Sequence, residues 1–456
     1  MKQIITLEEK QMKNMNKPRV GILGLTLENL GWASVLSSHD IMVLCSDLDE
    51  DLVESCVAEE FSGYAIGLLD KLKQGEISGY LSFTTAVRQL IKSTDIIFVD
   101  AMLPQDEKGV SSLRFLESSL RQVASLSEEN KLVVLRSIMP VGSTQKLQEM
   151  INDQLRDRDM TTPIEIRLVA MPFLFSGGHL IESMEKTGNF PVGIDEGEDL
   201  PPELDQIFQM LQVGRGRIQL CTTREAEMTA FAYSGLVAMT QAYVNEVAGL
   251  CKTMDIEGDV VAKLINKELS KNSVITTPTI GFGGSHLARE TMELTSLGRQ
   301  SKVPITMGEV ALKANGKRKK DEISKLLKLI KIKEGRIAIL GGAAVPNSDD
   351  FRDAPALDMI KALAQTENHL TFYTPHGMDQ AKWRLYKERD GISFYNSAAE
   401  ATKGADILIL LGNFKGQEKI LSKALAKRMK GQLILDFVGA FNKKKAATLG
   451  FEYNRI

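Results

Sequence analysis

Residues 281–290 read GFGGSHLARE. Three glycines beside an aromatic make a loop whose backbone a ligand can approach closely. His286, Arg289 and Glu290 then place a base, a cation and an acid within five residues. Histidine titrates near neutrality, so general acid–base chemistry is open to this loop. The alternative is a loop histidine bonded to nearby backbone, and the stretch alone leaves both open. No Ser/Asp partner is visible for a nucleophilic triad. None of the five histidines and four cysteines pairs at zinc-ligand spacing.

A second candidate is the turn after the first apolar run, PRVGILGLTLENLG (18–31). A dinucleotide fingerprint G-x-G-x-x-G would fall on Gly24–Asn29, yet only Gly24 is a glycine of that pattern. The second glycine admits the pyrophosphate and the third lets helix pack on strand. Thr26 and Asn29 add bulk at both places, and Glu28 adds negative charge where a phosphate would use the helix dipole. Asp47, 23 residues beyond Gly24, stands where a carboxylate accepts ribose hydroxyls. From the turn alone, NAD binding and a lost cofactor site are equally open.

The elements that would position these residues follow from periodicity. Val20–Leu23, Ile41–Cys45, residues 93–104, 130–142 and 164–172 read as strands, with helical patterns between them. That alternation predicts a parallel α/β sheet. Residues 224–254 contain no proline and are apolar all round, predicting a long helix buried on most faces, interdomain or dimer-forming. The lysine-rich stretch 313–333 reads as a solvated linker and helix face. At Gly335 the strand–glycine pattern restarts, and GRIAILGGAAVPNSDD parallels the first turn.

The expected fold class is therefore α/β, two Rossmann-like doubly wound domains joined by a long central helix. The expected divisions are a polar extension at 1–17, a Rossmann-like domain at 18–215, a helical domain at 216–320 and a second Rossmann-like domain at 321–456. Four cysteines without C-x-x-C spacing, in a chain of 456 residues with net charge -3, suggest a reducing, cytoplasmic setting. Near-neutral charge gives no support for nucleic acid or an acidic membrane as partner. The amino-terminal stretch lacks the apolar region of a signal peptide.

Several stretches in order resemble the UDP-glucose/GDP-mannose dehydrogenases. SIMPVGST (137–144) is similar to S-T-V-P-V-G-T-T, and AEMTAFAYSGLVAMTQAYVNE (226–246) to A-E-x-x-K-y-x-x-N…N-E. GFGGSHLARE is similar to G-y-G-G-S-C-F-P-K-D, and LGGAAVPNSDDFRDAP (340–355) to L-G-x-A-F-K-p-x-t-D-D-x-R-x-S-P. The resemblance implies NAD as cofactor and a nucleotide sugar whose C6 alcohol becomes a carboxylate. It places Gly24, Asp47 and Pro104 around the cofactor, and Leu174, Phe282, Gly283, Arg289 and Arg352 around the sugar nucleotide.

In such enzymes a cysteine attacks the aldehyde formed first, a lysine and an asparagine stabilise the oxyanion, and a glutamate assists thioester hydrolysis. Here His286 occupies the cysteine's place, Ala230 the lysine's and Ser234 the asparagine's. MPFLFSGG (171–178) is similar to N-P-E-F-L-R-E-G and puts Phe173 at the glutamate. Leu103 and Ile138 replace threonines, and Val345 a substrate-contacting lysine. What persists is mainly glycine, proline and the Asp350/Arg352 pair, which can serve as a structural ion pair.

Three readings follow. The first is a homologue unable to perform the full oxidation, acting as a binding or regulatory protein, as a homodimer through 224–254 or a heterodimer with an active relative. The second is an active oxidoreductase with a rebuilt site using His286. The third is a structural dimer subunit with no ligand.

Overall fold

Continuous apolar runs dictate strands covered on both faces, and Val20–Leu23, Ile96–Val99 and Lys131–Leu135 are buried throughout. The computed structural model describes residues 17–61, 63–107, 109–158, 162–174, 179–268 and 277–456. Residues 1–16 of the expected polar extension, and 175–178 of the MPFLFSGG motif, lie outside them. The chain divides into two units. The first runs to Phe61 and from Ala65 to Phe231, and the second comprises Ala232–Ile456 with residues 62–64.

In the first unit the described strands are β1 (Val20–Leu23), β2 (Val43–Ser46), β3 (Leu81–Phe83), β4 (Ile96–Val99), β5 (Lys131–Leu135), β6 (Ile166–Ala170), β7 (Phe190–Ile194) and β8 (Ile218–Thr222). They form one sheet in the order β3-β2-β1-β4-β5-β6-β7-β8. β1 pairs in parallel with β2 and β4, aligning Leu23 with Ser46 on one side and Val99 on the other. The strand order reverses between β1 and β4, so the carboxyl ends of β1, β4 and β5 open onto a switch-point crevice. The sheet is not wholly parallel, because β7 meets β6 antiparallel at Ala170 and Gly193.

Helix α1 (Leu27–Ser37) follows β1, and α2 (Ser143–Arg156) follows β5. Trp32 of α1 anchors the core beneath the crevice, with ring centroids 5.3 Å from Phe98 and 5.7 Å from Phe190. Such aromatic contacts add to the stabilisation from burying the rings themselves.

The long helix α3 (Thr223–Thr253) follows β8 directly. Thr222 and Glu225 form a reciprocal capping box: the Thr222 N–H donates to Glu225 (2.8 Å) and the Glu225 N–H to Thr222 Oγ1 (3.3 Å). Leu236, Tyr243 and Leu250, seven residues apart, are exposed along one stripe, and Met254 continues it.

In the second unit, helices α4 (Gly258–Glu268), α5 (Leu287–Gln300) and α6 (Thr306–Leu329) precede the sheet. The lysine-rich stretch is no linker through Leu329. It continues α6, whose Asn315, Glu322 and Leu326 are buried. Strands β9 (Arg336–Leu340), β10 (His369–Tyr373), β11 (Ile392–Phe394), β12 (Ile407–Leu410), β13 (Leu433–Asp436) and β14 (Glu452–Arg455) follow. They form a parallel sheet in the order β11-β10-β9-β12-β13-β14. Two doubly wound sheets with a long central helix between them in sequence is the fold observed.

Candidate functional site

The first-unit residues lie around the β1–α1 turn. Gly24 adopts φ +95°, and a Cβ there would stand 1.8 Å from the Asp100 carbonyl oxygen, so the turn requires glycine. The Leu25 N–H donates to Asp47 Oδ2 (2.7 Å) and the Asp49 N–H to Asp47 Oδ1 (3.0 Å). The acid at the end of β2 is thus fastened to the turn. Thr26 caps α1, accepting from the Asn29 N–H (3.2 Å), while buried Asn29 donates to the Gly24 carbonyl (2.9 Å).

Thr26 also donates to Asp100 Oδ2 (2.6 Å), and Ser137 donates to Asp100 Oδ1 (2.7 Å). Asp100 follows β4 and Ser137 follows β5, so one carboxylate ties together the ends of three neighbouring strands. Burial pushes the Asp100 carboxyl up, and the Glu28 charge adds to this against the opposing bonds from Thr26 and Ser137.

Arg136, 3% exposed, donates to the Met171 carbonyl. Its guanidinium lies 5.1 Å from the Trp32 ring centroid and 5.4 Å from that of Phe173. Among the described residues its Nε and Nη2 have no hydrogen-bond partner, and burial lowers its pKa to about 10. Phe173 therefore sits as a buried ring beneath a cation, where the resemblance implies a glutamate. Leu174 is half-buried beside it. Leu103 is buried, and the Pro104 carbonyl accepts from the Ser112 N–H (2.8 Å).

The PVGST turn is held from α3. Buried Glu227 accepts from the N–H groups of Gly142 (2.6 Å) and Thr144 (2.8 Å), and from Thr144 Oγ1 (2.7 Å). A carboxylate there satisfies the α2 amino terminus. Ala230, one turn along α3, is buried and brings no polar group.

In the second unit the glycine loop is strapped to residues 350–353. The Gly284 N–H donates to the Arg352 carbonyl (2.9 Å) and the Ser285 N–H to Asp350 Oδ2 (2.8 Å). A Cβ on Gly283 would lie 2.0 Å from the Asp353 carbonyl oxygen. Phe282 is buried, its N–H and C=O both bonded to the Asn315 side chain at 2.8 and 2.9 Å. Arg352 Nε donates to Asp350 Oδ1 at 2.8 Å. Burial raises the Asp350 pKa, but the bonds and charge of Arg352 outweigh it and hold the carboxyl below its ordinary range.

His286 precedes α5 and bonds through Nδ1 to Glu290 Oε1 at 2.9 Å. Glu290 is buried and accepts from the Ser234 hydroxyl on α3. The structure thus joins His286, Glu290 and Ser234 in one chain of contacts. Arg289 is half-buried on the same helix, and Val345 half-buried after β9. The four free cysteines lie elsewhere: Cys45 on β2, Cys56 on the helix Glu50–Val57, Cys221 on β8 and Cys251 on α3. Sequence reasoning missed Asp100 and the role of Glu227, although an acid closing an apolar strand was the visible signal for the former.

Residues 18–212 match the NAD binding domain of the UDP-glucose/GDP-mannose dehydrogenase family, 224–317 its central domain and 338–443 its UDP binding domain. The chain belongs to that family. It is 24% identical over 443 residues to a UDP-glucose 6-dehydrogenase of Rhizobium meliloti, covering 95% of this chain and 99% of the relative. It is 23% identical to UDP-glucose 6-dehydrogenase TuaD of Bacillus subtilis, covering 96% and 93%. Among solved structures, a UDP-glucose dehydrogenase of Pyrobaculum islandicum has the same fold, with a TM-score of 0.80 at 20% identity over 96% of this chain and 97% of that one.

NAD is the cofactor that membership in the family implies, and it would supply the hydride acceptor. The residues fit it unevenly. Asp47 follows β2, where dinucleotide folds carry the acid that accepts ribose hydroxyls, and it is half-buried with carboxylate lone pairs beyond its two backbone bonds. The pyrophosphate turn does not fit: Thr26 and the Asp100 carboxylate are already joined across it, with Glu28 in the first turn of α1. Among the described residues, no helix is long and apolar enough to cross a membrane.

Proposed function

We propose that the chain is a nucleotide-sugar 6-dehydrogenase homologue that does not perform the full oxidation of a UDP-sugar to a uronic acid and acts as a binding or regulatory protein. The observation that carries this reading is His286 in the place of the family's nucleophilic cysteine, with each described cysteine on another element. An imidazole does not form the thioester on which the second oxidation depends. Buried Ala230 stands where an oxyanion-stabilising lysine belongs, a loss of about 10²-fold or more in rate, and buried Phe173 removes the acid that assists hydrolysis.

The ligand in this reading is a nucleotide sugar of the kind the relatives are named for, held in the second unit with Phe282, Gly283, Arg289 and Arg352. The assembly is a dimer through the α3 stripe Leu236–Tyr243–Leu250, with itself or with an active relative. The setting is cytoplasmic.

The test is to mix the purified chain with NAD and a panel of UDP- and GDP-sugars while following the reduced-nicotinamide absorbance. No turnover is expected, and turnover that disappears in His286→Ala refutes the reading. Calorimetry with UDP and UDP-sugars then separates a binding protein from a ligand-free subunit. One observation favours the second reading, an active enzyme with a rebuilt site. The contact between His286 Nδ1 and buried Glu290 orients the imidazole as a general base would be oriented. That enzyme would perform a two-electron alcohol oxidation without a covalent intermediate.

A further inference from the structure

We propose that Asp100 holds the place of the cofactor's pyrophosphate, making the first unit a self-liganded dinucleotide fold that excludes NAD from its family seat. This rests on membership in the family and is independent of the loss of catalysis proposed above. In a dinucleotide fold the pyrophosphate lies at the amino terminus of the first helix, over a turn without side chains. Here that position is crossed by the protein's own bridge. Asp100 receives Thr26 from the β1 turn at 2.6 Å and Ser137 from the end of β5 at 2.7 Å.

Three features make the bridge a built element. Gly24 passes so close to the Asp100 backbone that no Cβ fits between them, which fixes where the carboxylate projects. Asn29, in the place of the third glycine, donates to the Gly24 carbonyl from behind and braces the same turn. Arg136 supplies a buried positive charge, with two nitrogens that have no partner among the described residues, and Asp100 and Glu28 are the charges that favour its ionised form. An incoming pyrophosphate would meet the carboxylates of Asp100 and Glu28 and would have to break the Thr26 bond. At the amino terminus of α2 another of the protein's own carboxylates, Glu227, accepts directly from backbone N–H groups.

The experiment is calorimetry of the full chain with NAD and with ADP-ribose, which carries the same pyrophosphate. The wild type is expected to bind both more weakly than about 1 mM. Asp100→Ser removes the charge and Thr26→Gly removes both bulk and bridge. Asp100→Ser is expected to tighten NAD and ADP-ribose by about tenfold or more, as removal of close like-charge repulsion requires, and Thr26→Gly to tighten both by removing the bulk and the bond that an incoming pyrophosphate would have to displace. Trp32 emission reports whether each variant keeps its core, and Thr26→Gly decides alone if Asp100→Ser does not fold. Wild-type binding tighter than about 1 mM overturns the proposal. So does a weak wild type that neither bridge variant improves. Absence of turnover with sugars bears only on the function proposed above, because neither binding measurement includes one.

Discussion

Replacing Glu227 by alanine tests whether the α3 carboxylate positions the PVGST turn. The side chain is 2% exposed and accepts three hydrogen bonds, two from backbone N–H groups at the start of α2. A hydrogen bond to a charged group contributes about 1.5–3 kcal/mol, and a buried donor left without a partner carries its own desolvation cost. The three bonds share one acceptor and do not add fully. The expected loss is therefore about 3–5 kcal/mol, a large share of the roughly 5–15 kcal/mol that holds a domain folded.

The protein carries its own probe for this measurement. Trp32 is 1% exposed in the first unit and Trp383 is 72% exposed in the second, so the red shift on unfolding comes mainly from Trp32. With a urea slope of about 2–3 kcal/mol per molar, the Trp32 midpoint should fall by about 1–2 M. Glu227→Gln keeps the shape without the charge and should lose roughly half as much. A midpoint shift below about 0.3 M in Glu227→Ala, equivalent to under ~1 kcal/mol, refutes the reasoning.

Three further outcomes follow from the same structure. Asp350 has a depressed folded pKa, so its contribution is complete above the unfolded value of about 3.9 and is lost as pH falls through the folded one. Urea midpoints read by far-UV circular dichroism between about pH 5 and 3 should fall less steeply in Asp350→Asn than in the wild type. Gly283→Ala drives a Cβ to 2.0 Å from the Asp353 carbonyl oxygen and should cost about 2–3 kcal/mol by thermal denaturation. Gly216→Ala, with nothing within 4 Å, is the control that should stay near the wild type. Native thiol labelling at about pH 8 followed by peptide mapping should modify Cys221 first. Cys45 and Cys56 are buried, and burial pushes the Cys56 thiol up to about 11. Equal early labelling of Cys45 contradicts this order.

Local spacing carried much of the fold. Val20–Leu23 before a glycine, the same pattern after Gly335, and the proline-free stretch at 224–254 each announce their elements. The antiparallel entry of β7 was hidden, because strand direction depends on how the returning chain docks and not on its composition. The unbroken α6 was hidden as well, since lysines look alike on a linker and on a solvated helix face. At the candidate site, His286 and Glu290 are one helical turn apart, so their contact was within reach of spacing alone. Ser234 lies 56 residues from Glu290, and Glu227 lies 83 from Thr144. Such pairs exist only once the helices are packed.

The direct junction of β8 and α3 bears on how this chain can change length during evolution. β8 pairs with β7 residue for residue from Ile218 to Thr222, and the Thr222–Glu225 cap opens the helix at the next position. An insertion at that junction must break either the ladder or the cap, or turn every later helix residue by about 100° about the axis. The Leu236–Tyr243–Leu250 stripe would then no longer fall on its present face. Gly214 and Gly216, a few residues earlier, have open space around them. Length variation among relatives is expected to accumulate at 214–216 and to stop abruptly at Ile218, as a ratchet admits slack on one side only.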